Sequence, residues 1–202
     1  MKVYVIPNQI SEPPRGPAPE VIKEPGFARF LYVSRIDRKK NLSFALDVIR
    51  DLNCELHIYG PIGDEPYWRE CQSKMRGARA EYHGALAPEQ VIPTLQPGHF
   101  LLFPSLGENF GYIIYESLCA SCPVLISDQN DAWRNMLKLG GGYDLPLHLA
   151  AWRKAVQYII DMDNSEYQEL REGAAFRAWR YFRANDHSQE YMAMFRDAAG
   201  RT

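Results

Sequence analysis

The 202-residue chain contains 23 Lys and Arg residues against 25 Asp and Glu residues, which gives a formal net charge of -2. This even balance provides no overall positive field for nucleic acid or an anionic membrane surface, so any anion binding must be local. With 46% apolar and 24% charged residues, the composition is typical of one globular domain.

The first predicted element is an extended connector. Residues 13–25 contain five prolines, which are incompatible with a helix, so we interpret residues 1–26 as a linker and 27–202 as the packed domain. Beyond the linker, apolar runs of strand length alternate with helical patterns. The predicted strands are 29–34, 55–60, 80–84, 99–105 and 123–127. The predicted helices are 41–52, 66–77, 88–95, 110–121, 147–163, 165–184 and 187–199. A segment at 133–140, which ends on glycines, separates the fourth helix from the fifth.

The predicted strands FLYV, FLLF and VLI are continuously apolar. Such strands are typical of a parallel sheet that is covered on both faces. Five strand–helix steps then predict an α/β fold, a Rossmann-like three-layer α/β/α sandwich with a mainly parallel sheet. Ligands of such sheets bind beyond the carboxyl ends of the strands, so the segments that follow the strands are the candidates for chemistry.

A basic segment, SRIDRKKN, follows the first strand and precedes a helix. Cations close to a helix N-terminus make a site suited to phosphate, and Arg35 and Lys40 are the best candidates. The alternative is a solvated basic loop, which is the more common role of a charge cluster.

The segment PSLGENFGYIIYE follows the fourth strand and carries two carboxylates. Glu108 precedes a helix that we expect to begin near Phe110, and the free amides of Asn109, Phe110 and Gly111 would face an anion there. Glu116 falls inside an apolar helix, where we expect it to have a hydrogen-bond donor. The alternatives are charge–dipole placement or N-terminal capping for Glu108, and a structural bond to backbone for Glu116.

A third strand end, IYGPIGD, has glycines, beginning with Gly60, that would let a ligand approach the backbone. No G-x-G-x-x-G, G-x-x-x-x-G-K-[ST] or G-x-S-x-G pattern occurs, which argues against dinucleotide-binding, P-loop and common hydrolase functions.

Four irregularly spaced cysteines predict reduced thiols, and the pair Cys119 and Cys122 at a helix end predicts core filling. The five histidines lack metal-site spacing, so we predict no metal.

Taken together, these segments resemble a known family. Glu108 and Glu116, with the P-S and P-V pairs that flank them, resemble the E-x7-E block of retaining glycosyltransferases of the GT-B fold, family 4 (glycosyl transferases group 1). VSRIDRKKN resembles the strand-end segment of that family, VIPN at 5–8 resembles the end of its interdomain linker, and LISDQNDAWRN resembles the following segment of bacterial members that make surface polysaccharides. The resemblance covers nearly the whole chain.

The resemblance implies a donor-binding domain for a nucleotide-diphosphate sugar, either a UDP-sugar or a GDP-sugar, without a metal cofactor. Arg35 and Lys40 would contact the diphosphate and Glu108 the transferred sugar. Glu116 would bind the ribose hydroxyls. The backbone of Asn109, Phe110, Gly111 and Tyr112 would line the sugar and phosphates. A departing nucleoside diphosphate gains negative charge, which cations and a helix N-terminus stabilise.

GT-B enzymes have two Rossmann-like domains, and the resemblance implies that this chain lacks the N-terminal acceptor domain. We therefore expect it to bind a sugar nucleotide but to transfer little or no sugar alone. The setting implied is bacterial polysaccharide or glycoconjugate synthesis in the cytoplasm, with the inner membrane face as an alternative location of a full-length enzyme. The alternatives in function are a non-catalytic nucleotide-sugar-binding module and a GT-B sugar-nucleotide epimerase, whose sites lack the E-x7-E arrangement.

Overall fold

A computed structural model describes residues 10–199 of the chain, and its centre is one parallel β-sheet. The strands are β1 (Ala28–Val33), β2 (Cys54–Tyr59), β3 (Ala80–Tyr82), β4 (Phe100–Phe103), β5 (Val124–Ser127) and β6 (Gly142–Leu145). They lie in the order β3-β2-β1-β4-β5-β6, and every neighbouring pair is parallel. The predicted Rossmann-like α/β class is confirmed. The VIPN segment at 5–8 lies outside the described residues.

The helices alternate with the strands up to β6, and three long helices follow. They are α1 (Leu42–Ile49), α2 (Glu65–Met75), α3 (Pro88–Leu95), α4 (Tyr112–Cys119), α5 (Met136–Leu139), α6 (Leu149–Asp161), α7 (Asn164–Ala184) and α8 (Ser188–Ala199). A short 3-10 helix, Arg38–Lys40, precedes α1. None of the helices within residues 10–199 has the length and apolar composition required to cross a bilayer.

The sixth strand was not predicted from the sequence. β6 begins at Gly142 after two further glycines and contains Asp144, residue types that are depleted in strands. Its stability comes from tertiary pairing, because Gly142 to Leu145 pair in register with the buried strand β5. A side chain at Gly142 would clash with the carbonyl oxygen of Val124 at 2.0 Å, so glycine is required for this close approach. The prediction of five strands was therefore one strand short.

Helices cover both faces of the sheet. One core layer contains the buried side chains of α1, α2 and α6, and the other contains those of α3, α4, α5 and the middle of α7. Side chains that alternate along β1 point into opposite layers, as the two-residue period of a strand requires. The continuously apolar strands of the sequence are therefore the strands that are buried on both faces.

The proline-rich segment before β1 has no helix or strand but packs against the domain. Lys23 is fully buried, and its ammonium group donates hydrogen bonds to the carbonyl oxygens of Ile160 and Met162 at the end of α6. Ile10 is also buried, in the layer that contains α4. Part of the predicted linker is thus integrated into the core, and a domain boundary at residue 26 stays a prediction.

The sheet reverses its strand order between β1 and β4. From β1 the chain continues to β2 and β3 on one side, whereas from β4 it continues to β5 and β6 on the other. Crossover connections diverge at such a topological switch point and leave a crevice at the carboxyl ends of the two central strands. The segments after β1 and β4 are those that carry Lys40 and Glu108.

Candidate functional site

Lys40 is held at the crevice by local turn geometry. Asp37 caps the short 3-10 helix by accepting a hydrogen bond from the Lys40 amide at 3.1 Å, and the Lys40 carbonyl accepts one from the Tyr32 hydroxyl at 3.2 Å. Asn41 has a left-handed backbone with φ 60°, and its side-chain amide donates to the Pro104 carbonyl at 3.1 Å. The loop after β1 is therefore tied to the loop after β4.

Glu108 contacts Lys40 directly across the switch point. One carboxylate oxygen of Glu108 accepts hydrogen bonds from the Lys40 ammonium and from the Ser105 hydroxyl, both at 2.6 Å. Only 17% of the Lys40 side chain and 10% of the Glu108 side chain are exposed, so solvent screens this ion pair weakly. An ammonium group has three N–H donors, so Lys40 keeps two for a ligand.

Helix α4 begins at Tyr112 rather than near Phe110. Gly111 occupies the position before the helix with φ 77°, and no side chain caps the first turn. The segment from Glu108 to Gly111 is therefore loop, which lets Glu108 turn towards Lys40 instead of following the helix axis. The uncapped amides at the start of α4 face the same crevice, and they carry the positive end of the helix dipole.

Glu116 is half-buried in α4 without a partner among residues 10–199. The structural bond to backbone that was the alternative role of Glu116 is absent within residues 10–199, and the expected hydrogen-bond donor stays a prediction. Burial raises the pKa of the Glu116 carboxyl above its ordinary value. The side chain lines an open crevice and keeps some access to solvent, which is how the carboxylate is tolerated without a protein donor.

A crevice of about 530 Å³ brings most of the predicted site residues together. This volume lies within the usual range of small-molecule sites, roughly 300–1,000 Å³. The lining residues are Val33, Ser34, Lys39, Lys40, Val91, Glu108, Asn109, Phe110, Gly111, Tyr112, Ile113 and Glu116. A larger crevice of about 620 Å³ lies between the proline-rich segment and α7, away from the switch point.

Arg35 and Gly60 do not line this crevice. The Arg35 side chain is 63% exposed, and its Nε donates to Asp37 at 2.7 Å. A Cβ atom at Gly60 would lie 1.9 Å from the Ser34 carbonyl oxygen, so the space that this glycine leaves is filled by protein backbone. Gly60 thus permits close packing of two loops, whereas the sequence suggested that it admits a ligand.

Several residues that support the site were not singled out by the sequence. Ser105 is fully buried and orients the Glu108 carboxylate, and its own carbonyl accepts a hydrogen bond from the Ser127 hydroxyl. The Trp133 indole donates to the Phe110 carbonyl at 2.6 Å and packs on the Phe110 ring. Ser105 was visible only as a flank of the E-x7-E block, and nothing local in the sequence marks the long-range contact of Trp133.

The cysteine pair has no features of a reactive dithiol. Cys122 is buried, as core filling predicts, and Cys119 is half-buried; both are free thiols. Burial raises the pKa of each thiol to about 12, which keeps both protonated at neutral pH. Neither thiol belongs to a group of potential metal ligands within residues 10–199.

The comparison with protein families agrees with this arrangement. The family model described as Glycosyl transferases group 1 matches residues 19–174, which is most of the chain and includes the crevice. The chain belongs to this family. The match begins within the proline-rich segment and ends within α7, so the family domain contains the whole sheet. No curated protein sequence matches the chain significantly.

Solved structures of glycosyltransferases share the fold of this family member. Sucrose-phosphate synthase from Thermosynechococcus elongatus has a TM-score of 0.73 at 20% identity, over 85% of this chain and 46% of that one. Anabaena HepE in complex with UDP and glucose has a TM-score of 0.64 at 15% identity, over 88% of this chain and 49% of that one. WaaG, a glycosyltransferase involved in lipopolysaccharide biosynthesis, has a TM-score of 0.62 at 16% identity, over 82% of this chain and 45% of that one. The chain spans about half the length of these proteins.

Proposed function

We propose that this chain is the donor-binding half of a retaining glycosyltransferase that uses a nucleotide-diphosphate sugar. The observation that carries the proposal is the contact between Lys40 and Glu108 at the switch point, beside the open N-terminus of α4. Membership in the glycosyl transferases group 1 family supports the general activity. The complex of Anabaena HepE with UDP and glucose makes a UDP-sugar the first donor to test, with a GDP-sugar as the second.

In this proposal the diphosphate binds between Lys40 and the first turn of α4. The two remaining N–H donors of Lys40 and the uncapped amides of α4 stabilise the charge that develops on the departing nucleoside diphosphate. This electrostatic stabilisation uses fixed protein groups, so the reaction requires no metal in the cleft. Arg35 acts from the rim, where its exposed guanidinium group retains donors beyond the Nε bonded to Asp37.

The two carboxylates bind different parts of the donor. Glu108, oriented by Ser105 and Lys40, accepts hydrogen bonds from the hydroxyls of the transferred sugar. Glu116 has no donor from the described part of the chain, so ribose hydroxyls provide its hydrogen bonds. The donor is thereby held at both ends, and Glu108 orients the sugar rather than forming a covalent bond with it.

Sugar transfer requires a second domain that binds the acceptor and closes over the crevice. The chain spans about half the length of its structural neighbours, and exposed apolar side chains of α7 and α8, including Phe176 and Phe195, are suited to contact such a domain. A role in bacterial polysaccharide or glycoconjugate synthesis is the setting most consistent with WaaG as a neighbour. Incubation of the chain with donor and glycan acceptors should therefore give little or no transfer.

The donor site is tested by calorimetric titration with UDP, GDP and their glucose, N-acetylglucosamine and mannose conjugates. We expect one donor class to bind, and Lys40→Ala and Glu116→Ala each to weaken it by about tenfold or more, or 1.4 kcal/mol. Arg35→Ala should have a smaller effect. Arg38→Ala is the matched control, because Arg38 lies in the same loop but pairs with Asp64 and Glu70. Unchanged affinity in the first three variants would refute the site.

A further inference from the structure

The edge of the sheet carries a cluster of histidine and glutamate side chains outside the crevice. Parallel pairing sets His57 of β2 opposite Glu81 of β3, and His83 follows two residues later on the same face. The other face of β3 is packed, since Tyr82 lies on the ring of Trp68 at a centroid distance of 4.6 Å. The register therefore directs three potential metal ligands towards solvent on one face.

The ligand atoms of His57, Glu81 and His83 all lie within 4.8 Å of one another. Nδ1 of His57 is 2.9 Å from Nε2 of His83, and that Nε2 is 3.8 Å from a carboxylate oxygen of Glu81. Two imidazole nitrogens bound to tetrahedral Zn²⁺ at about 2.0–2.1 Å are roughly 3.3 Å apart. The two nitrogens need to separate by only about 0.4 Å to reach this spacing.

A partner outside the cluster orients His57 for metal binding. Nε2 of His57 is 3.2 Å from a carboxylate oxygen of Glu55, and Nε of Arg29 donates to the same oxygen at 2.6 Å. With its proton on Nε2, beside the Glu55 carboxylate, His57 presents the Nδ1 lone pair to the cluster. This carboxylate–histidine arrangement is the usual support of a metal-binding imidazole.

The second imidazole is held by stacking. The ring of His83 lies against Tyr59 at a centroid distance of 4.7 Å and against His57 at 5.1 Å. Two neutral ring nitrogens at 2.9 Å require a proton between them, because facing lone pairs would repel. A divalent cation can replace that proton and satisfy both nitrogens together with the carboxylate of Glu81.

We propose that His57, Glu81 and His83 bind one divalent transition-metal ion, with Zn²⁺ the best match, and that water completes the coordination. Imidazole with one carboxylate selects Zn²⁺ and its neighbours over Mg²⁺ and Ca²⁺. The ion ties β3, an edge strand of only three residues, to β2. The site shares no residue with the crevice, so the proposal is independent of the proposed donor binding.

The first test is calorimetric titration of the EDTA-treated full chain with Zn²⁺ in an excess of Mg²⁺. We expect one ion per chain, and at least a tenfold loss of affinity in His57→Gln, His83→Gln and Glu81→Gln. Glu55→Gln, which leaves the three proposed ligands in place but removes the carboxylate beside His57 and its ion pair with Arg29, should weaken binding by about 10- to 100-fold. His148→Gln and His187→Gln are the matched controls, because neither histidine belongs to the cluster, and they should bind as the wild-type chain does.

Co²⁺ substitution in the wild-type chain gives a readout that does not depend on any variant. We expect visible d–d absorption typical of tetrahedral nitrogen and oxygen ligation, without the near-ultraviolet thiolate band that cysteine ligands produce. Zn²⁺ should also raise the melting temperature of the wild-type chain but not that of the His57→Gln/His83→Gln double variant. No uptake by the wild-type chain, a thiolate band, or undiminished binding in the two histidine variants would each overturn the proposal.

Discussion

Lys40 and Glu108 are 68 positions apart in the chain, yet the Lys40 ammonium and the Glu108 carboxylate lie 2.6 Å apart. The contact follows from topology, because β1 and β4 are adjacent in the sheet and the loops that follow them meet at its carboxyl edge. Ser105 fixes the same carboxylate oxygen from the loop after β4. The ion pair therefore joins the two halves of the sheet at the place where the donor is proposed to bind.

Removal of the ammonium group from this pair should destabilise the fold. Lys40→Met leaves a Glu108 carboxylate, 10% exposed, with Ser105 as its remaining side-chain donor, and we expect a loss of roughly 1–3 kcal/mol in free energy of unfolding. Glu108→Gln in the Lys40→Met background should recover part of this loss, because it removes the unpaired carboxylate. The measurement is urea unfolding of both single variants and the double variant. Additive losses would show that the two side chains are not coupled.

Arg38→Met is the control for the comparison of the Lys40→Met and Glu108→Gln variants. Arg38 lies in the same 3-10 helix, but its side chain is 63% exposed and its ion pairs with Asp64 and Glu70 are 3.7 and 3.3 Å long. Exposed pairs of this kind contribute about 0–1 kcal/mol. A loss for Arg38→Met as large as that for Lys40→Met would mean that loop disruption, rather than the buried ion pair, accounts for both.

Glu116→Gln should stabilise the protein at neutral pH while it weakens donor binding. Burial raises the pKa of Glu116 above its ordinary value near 4.5, so the folded state favours the protonated form. The contribution of protonated Glu116 to the stability of the fold is complete below pH 4.5 and is lost as pH rises through the folded-state pKa. The gain from the neutral glutamine should therefore be present at pH 7 and shrink towards pH 4.5, as followed by melting temperature. A gain independent of pH would contradict this explanation.

The sequence was sufficient to predict the Rossmann-like class and the location of the crevice, because continuous apolar strands and helix periods are local properties. β6 was missed since Gly142 and Asp144 disfavour a strand, and only pairing with β5 creates one. The packing role of Gly60 was missed for a related reason. The backbone that fills its missing side-chain space comes from Ser34, on a different loop, and sequence alone does not reveal such a contact.

The side-chain partners of the site were predictable only in part. The positions of Lys40 and Glu108 after neighbouring strands indicated that they share one edge of the sheet, but not that they form an ion pair. Glu116 was expected to have a donor because an apolar helix is either buried or borders a cleft; the structure has an open crevice along it, and no donor from residues 10–199 reaches the carboxylate. The histidines lacked metal spacing within any one segment, and strand register alone brings His57 to His83.

His99 should make the fold sensitive to acid. Its Nδ1 accepts a hydrogen bond from the Arg29 amide at 3.0 Å, and burial, followed by the charges of Lys23 and Arg29, lowers its pKa from 6.5 to about 4. The folded state favours the neutral form of His99. The contribution of His99 to the free energy of unfolding is therefore complete above pH 6.5 and is lost as pH falls through 4. It amounts to at most about 3 kcal/mol.

His99→Asn keeps an acceptor near the Arg29 amide but does not titrate in this range. We expect the free energy of unfolding of the wild-type chain to fall relative to that of His99→Asn between pH 6.5 and 4. Chemical denaturation at several pH values measures the difference. Parallel curves for the two proteins would show that other groups cause the acid sensitivity.

Gly60→Ala should be among the most damaging single-methyl additions in the chain. The new Cβ would lie 1.9 Å from the Ser34 carbonyl oxygen, and the residue has φ 139°, which residues with a side chain rarely adopt. The loops after β1 and β2 must separate to relieve the clash, and we expect a loss on the order of 3 kcal/mol or more. Gly16→Ala separates the two causes, since Gly16 has φ 100° but no atom within 4 Å of the position that its new methyl group would take. Equal losses in the two variants would assign the effect to backbone strain alone, and the close approach of Ser34 would then contribute nothing to the requirement for glycine at position 60.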